Sequence, residues 1–262
     1  MKVNKLRELL KTGRPSLGTR ILSPWPSIVE IIGHTGMFDY VEFLAEYTTF
    51  DLELLDNLCR AAELHGMSSM IKIDQDPRSF LAQRGIGAGF QGILFSDCRS
   101  ADDVRQCVAT VRPDTPDDGG TYGAERRRFA YVNHLGSPRY VQALRDVVVA
   151  IMIEKHAAVD HLDELLSVPG VDMIQWGSAD YAMSIGRAGE RDAPDIQKIE
   201  MKIIKTALKL GVAPRAEIRT VDHAKHYLDI GVRHFCIGID MLILHDWWKT
   251  NGEQMRKTLE GA

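Results

Sequence analysis

Eight short apolar runs recur along the 262-residue chain, and helical patterns fill the intervals between them. The runs are LGTRIL (17–22), DYVEFLAE (39–46), SMIKID (69–74), GILFS (92–96), VVVAIMIE (147–154), DMIQWG (172–177), PRAEI (214–218) and FCIGI (235–239). Between them lie segments such as LELLDNLCRAAELHG, SADDVRQCVATV and IQKIEMKIIKTALKLG, several closing on the glycine that commonly ends a helix. Continuous apolarity marks strands covered on both faces, and such strands, separated by helices, pair in parallel. Eight units of about thirty residues fit a (β/α)8 barrel in count and length. A doubly wound open sheet is the competitor, but LGTRILSPWP lacks the Gly-rich phosphate turn of that fold. One α/β domain over residues 1–262 is expected. It is a (β/α)8 barrel with an N-terminal helix in MKVNKLRELLKTGRP and a C-terminal helical extension.

Composition narrows the function. A net charge of −4 provides no basic surface, so nucleic acid is a poor partner. No stretch approaches the roughly 18 uncharged apolar residues needed to span a membrane. Cys59, Cys98, Cys107 and Cys236 form no CxxC pair and no secretory signal is evident, which suits reduced thiols in the cytoplasm.

In a barrel, the C-terminal strand ends line the active site. They collect Glu46-Tyr47, Lys72 and Asp74, Ser96-Asp97, Glu154, Gly177-Ser178-Ala179-Asp180, Glu217 and Asp240. Carboxylates crowded together repel unless a hard divalent cation takes them as oxygen ligands. Glu154 and Asp180 end neighbouring strands and are the best-placed pair. As a lone carboxylate, Glu154 would instead cap the helix AAVDHLDELL or pair with Lys155. The small residues before Asp180 would let the Ser178 and Ala179 N–H groups approach a ligand carboxylate closely.

These residues resemble the HpcH/HpaI aldolase family, metal-dependent class II aldolases acting on pyruvate-type 2-oxo acids. The likeness covers nearly the whole chain: GMFDYVEFLAE, GFQGILFSDCRSADDV, IEKHAAVDHLDELLSVPGVDMIQWGSADYAMSIG and YLDIGVRHFCIGIDMLIL. Its most specific part is the Ile-Glu motif, a helix, VPGVD and then G-x-x-D. The resemblance implies a phosphoenolpyruvate/pyruvate-type barrel with Glu154 and Asp180 holding Mg²⁺, Mn²⁺ or Co²⁺. It also implies that a substrate carboxylate lies against Gly177, Ser178 and Ala179. A small-molecule 2-oxo acid and an aldehyde would be the reaction partners. The cation would stabilise the pyruvate enolate, and a homo-oligomer, commonly a hexamer, would pack C-terminal helices between subunits.

The departures are as informative. The family's glutamate-histidine pair is Glu46-Tyr47 here, and the arginine after strand three is Lys72. Its L-D-x-G turn reads Ile86-Gly87-Ala88-Gly89, the glutamine before the metal glutamate is Met152, and the proline after strand four is Ser96. Gly120-Thr121 stands for an arginine-glycine. Lys72 offers a point charge without the planar fork of arginine. Tyr47, with a reference pKa of about 10, becomes a base near neutrality only if a cation such as Lys72 or the metal lowers that value; otherwise it orients substrate or packs at the rim. Glu46, Tyr47 and Lys72 are the candidate catalytic groups. Losing the histidine leaves open decarboxylation of an oxaloacetate-like acid, a Schiff base at Lys72, or a barrel that only binds an oxo acid.

Other features read more simply. His156/His161 and His223/His226 lack zinc-ligand partners and read as solvent-facing. Residues 113–128 form a long Gly/Pro-rich loop, either a solvated excursion, a lid or an oligomer contact. Within it, Arg126-Arg127-Arg128 reads as a solvated face or an inter-subunit bridge. Trp247-Trp248 is too apolar to stand alone on a terminal helix, and suits burial against a neighbouring subunit.

Overall fold

The computed structural model describes residues 2–131 and 134–261. Its eight strands are β1 (Ser16–Ile21), β2 (Tyr40–Leu44), β3 (Ser68–Ile73), β4 (Gly92–Phe95), β5 (Val148–Ile153), β6 (Met173–Trp176), β7 (Ala213–Ile218) and β8 (His234–Ile239). They close in sequence order, and β8 pairs in parallel with β1. The expected barrel is present, with every apolar run supplying one strand.

Side-chain alternation explains the continuous runs. On β5, Val149, Ile151 and Ile153 face the surrounding helices, while Val148, Ala150 and Met152 face the bore with Tyr40, Met70, Leu94 and Met173. The helices meet the outer face with one stripe each. In Leu52–Leu64, Asp51 caps the first turn by accepting the Leu54 N–H at 2.7 Å, and Leu55, Leu58, Cys59 and Ala62 are buried at helical spacing. The N-terminal helix Lys5–Lys11 stoppers the lower end of the bore. Leu6 packs into the interior cluster, and Asn4 Nδ2 donates to the carbonyls of Gln91 and Asp146, both at 2.8 Å.

Some local expectations are corrected. Glu46 lies beyond β2, in a 3-10 turn over Ala45–Tyr47. AAVDHLDELL is two short helices, His156–Asp160 and Leu162–Leu166, broken at His161. Within the long loop, Arg127 donates to Gln83 O at 2.7 Å, and Arg128 pairs with Glu63 and with Ala88 O. Arg128 therefore holds the loop to the C-terminal ends of the helices Leu52–Leu64 and Arg78–Ala88, and Arg127 to the middle of the second. Those ends lead into the lower rim, opposite the strand ends, so this part of the loop does not cover the mouth. None of the helices among the described residues is long and apolar enough to cross a membrane.

Candidate active site

Strand parity delivers the functional groups to the mouth. Glu154 continues the inward series Val148, Ala150 and Met152, and Lys72 follows Met70 inward on β3. Glu154 is 2% exposed. Its Oε1 accepts the Asp97 N–H at 2.7 Å. Its Oε2 occupies room left by Gly177, where a Cβ would stand 2.7 Å from that oxygen and 2.9 Å from Met152 Cε. Gly177 thus makes space for the carboxylate itself, a role the sequence reading assigned to substrate. Burial pushes the Glu154 carboxyl up to about 7. The Asp97 N–H and Lys72 act against that shift, and the Asp180 and Asp97 carboxylates add to it.

Asp180 does not end β6. It sits in the first turn of the helix Ser178–Ser184, partly exposed, beside Gly177. The first N–H groups of that helix have no partner within it, and among the described residues no side chain caps them. Lys155 does not pair with Glu154: its Nζ lies 2.5 Å from Asp97 Oδ1 and 3.3 Å from Asp180 Oδ1.

A second cluster faces Glu154 from the turn after β2 and from β3. Lys72 Nζ is 2.6 Å from Glu46 Oε2, donates to the Tyr47 hydroxyl and stands 4.3 Å from the Tyr47 ring centre. Although burial alone would lower it, Tyr47 and Glu46 drive the Lys72 ammonium well above its ordinary value. Lys72 stays charged, which disfavours a Schiff base. The Tyr47 ring is half open to solvent while its hydroxyl is turned inward; desolvation outweighs Lys72 and pushes the phenol up to about 12. The downward shift that would make Tyr47 a base is therefore not supplied by the protein's own groups.

Two other strand-end carboxylates are committed elsewhere. Asp240 begins the final helix and ties it to the β1 end, accepting the N–H groups of Leu22, Ser23 and Met241 at 2.8–2.9 Å. Glu217 pairs with Arg20 and accepts from Gln175. Behind it, Arg215 binds Gln175 and the fully buried Glu42, forming an ionic chain through the bore that the sequence reading missed. Its signal was present, since Arg20 and Arg215 are charges inside otherwise apolar runs. A groove of about 1300 Å³, bounded by Arg20, Trp176, Ser178 and Glu217, opens beside the site. His156, His161, His223 and His226 are exposed, as expected.

A sequence profile of the HpcH/HpaI aldolase/citrate lyase family matches residues 52–245, which include Lys72, Glu154, Gly177 and Asp180. The chain belongs to that family. Glu46 and Tyr47 lie outside the matched span. The family is one of carbon–carbon lyases of the aldolase type, and this chain is such an enzyme. It is similar to the 4-hydroxy-2-oxo-heptane-1,7-dioate aldolase of Shigella sonnei, at 26% identity over 92% of this chain and 90% of that one. The hydroxypyruvate/pyruvate aldolase of Paraburkholderia phytofirmans is 25% identical over 91% of this chain and 92% of its own. An HpcH/HpaI aldolase from Desulfitobacterium hafniense superposes with a TM-score of 0.88 at 22% identity, covering 97% of both chains, which establishes the common fold.

Proposed function

We propose that the chain is a divalent-metal-dependent aldolase acting on a pyruvate-type 2-oxo acid, with Glu154 and Asp180 as the protein's metal ligands. The observation that carries this reading is Glu154: a buried carboxylate with one backbone N–H for Oε1 and a cleared space at Gly177 for Oε2. Among the described residues, no three His, Cys, Asp or Glu side chains gather into a cage. Two carboxylates fit an ion such as Mg²⁺, which keeps water and substrate oxygens as its remaining ligands. When bound, Mg²⁺, Mn²⁺ or Co²⁺ supplies Lewis-acid stabilisation of negative charge on the oxo oxygen.

The chain's own groups do the rest. Lys72, fixed by Glu46, holds positive charge near the developing enolate. The unpaired N–H groups of Ser178 and Ala179 receive the substrate carboxylate. Tyr47 orients substrate or returns a proton from its hydroxyl, and does not abstract one. That last point favours a second reading, decarboxylation of an oxaloacetate-like acid, which needs no base to deprotonate a hydroxyl.

The apolar face of the helix Asp240–Glu260 supports a homo-oligomer, for which a hexamer is the family's pattern. Leu242, Ile243, Trp247, Trp248, Met255 and Leu259 are each about half exposed or more. A cytoplasmic setting agrees with four free cysteines.

The deciding experiment is deuterium exchange into the pyruvate methyl group in D₂O, followed by proton NMR with Mn²⁺ or Mg²⁺, with chelator, and with Asp180→Ala. Metal-dependent exchange lost in the variant supports the aldolase. Oxaloacetate decarboxylation without exchange supports the second reading, and silence in both overturns both.

A further inference from the structure

The carboxylates at the mouth already have a cation of their own. Lys155 follows Glu154 directly in the chain, yet its ammonium turns to Asp97 and Asp180. Its side chain is only 14% exposed, so this is a packed position and not a surface arm. Asp97 anchors it from two directions. The Asp97 backbone is held in the left-handed region at φ +56°, an uncommon conformation for a residue with a side chain. In that conformation its N–H serves Glu154 Oε1 while its carboxylate holds Lys155 Nζ at 2.5 Å. The ammonium is thereby fixed between Asp97 and Asp180, with Asp180 Oδ1 as its weaker partner at 3.3 Å.

We infer that Lys155 is an internal counter-cation that competes with the divalent metal for Asp180 and so sets the metal affinity of the site. The inference rests on the assignment of Glu154 and Asp180 as the metal pair. A divalent ion held by Asp180 would be a near neighbour of the ammonium, because Lys155 Nζ already lies 3.3 Å from Asp180 Oδ1. With Lys155 and Glu154 largely buried, like charges that close repel strongly. Asp180 Oδ1 must also exchange the ammonium for the metal. Because Asp97 retains Lys155, the ammonium yields Asp180 without leaving the neighbourhood, so the repulsion persists in the loaded enzyme. Lys155 acts on the metal through charge and is not a catalytic residue.

The test is Mn²⁺ titration of the full chain, reading free against bound ion by electron paramagnetic resonance in the absence of substrate. Lys155→Met and Lys155→Gln remove the charge, Lys155→Arg retains it, and a thermal melt in chelator verifies that each variant folds. The neutral variants are expected to bind Mn²⁺ at least about ten-fold more tightly than the unaltered chain, and the arginine variant within about three-fold of it. Binding by the neutral variants alone would uphold the competition in its extreme form, while overturning metal dependence of the unaltered enzyme. Equal or weaker affinity in folded neutral variants, with normal binding by the unaltered chain, would overturn the role of Lys155 and leave the metal pair standing. If no form binds Mn²⁺, the metal pair and the competition both fail.

Discussion

The two halves of the barrel bore solve the problem of burial in opposite ways. From β3 to β5 the interior is apolar, with Met70, Leu94, Val148, Ala150 and Met152, and charge enters only at the mouth, with Lys72 near the end of β3 and Glu154 just beyond β5. Across the bore, β1, β2, β6 and β7 carry Arg20, Glu42, Gln175, Arg215 and Glu217, linked side chain to side chain. Glu42 is as deeply buried as Glu154, but Arg215 compensates it directly. Glu154 has one backbone N–H and, among the described residues, no ion-pair partner of its own, and burial pushes its carboxyl up to about 7. The difference separates charges that maintain the fold from a charge left available for a ligand.

Four measurements would break or sharpen that contrast. Replacing Glu154 by Ala should abolish metal retention and lower metal-dependent turnover on the order of a thousand-fold or more, since several kcal/mol of transition-state stabilisation disappear. The fold should survive, as seen in an unchanged urea midpoint or a raised one.

On the compensated side, Arg215→Met should cost about 3–5 kcal/mol in urea unfolding, because Glu42 is left charged and unpaired. Adding Glu42→Gln should recover most of the loss. Full additivity of the two losses would show that the pair is not a unit.

His234 tests the same principle with a neutral group. It is buried on β8, 2.9 Å from Ser16 Oγ, and burial depresses it to about 4. Its folded value is below its unfolded one, so its contribution is fully present above about pH 6.5 and is lost as pH falls through about 4; the amount is about 3 kcal/mol. Chemical denaturation of the unaltered chain and His234→Gln across pH 4–7 should show a shallower acid loss in the variant.

The smallest effect is expected at Tyr47. Tyr47→Phe should lower turnover by about ten- to a hundred-fold with little change in stability, as fits a proton donor or orienting hydroxyl. Unchanged turnover would make the residue a packing group at the rim.

The barrel was legible because both faces of each strand are buried, which writes eight apolar runs into the sequence. Glu154 was legible for the same reason, being the first charge after VVVAIMI. The place of Asp180 at the mouth was legible although it stands on a helix, because Gly177-Ser178-Ala179 announces the end of β6. The ionic chain was not found. A charge inside a strand run shows only that it must be compensated, while its partner lies on a strand far away in sequence: Glu42 and Arg215 are 173 residues apart. The pairing of Lys155 was equally hidden, since its neighbour Glu154 was the obvious partner and the loop conformation at Asp97 decides otherwise.

Gly177 contributes no functional group, yet it governs the room available to the buried Glu154 carboxylate. Any other residue would place a carbon 2.6 Å from Glu154 Cβ and 2.7 Å from its Oε2, with Met152 crowding the same point. The site is kept open by a missing methyl group on the neighbouring strand, so one of the smallest lesions the chain can suffer, a single Gly-to-Ala change, would close it without touching a charged residue.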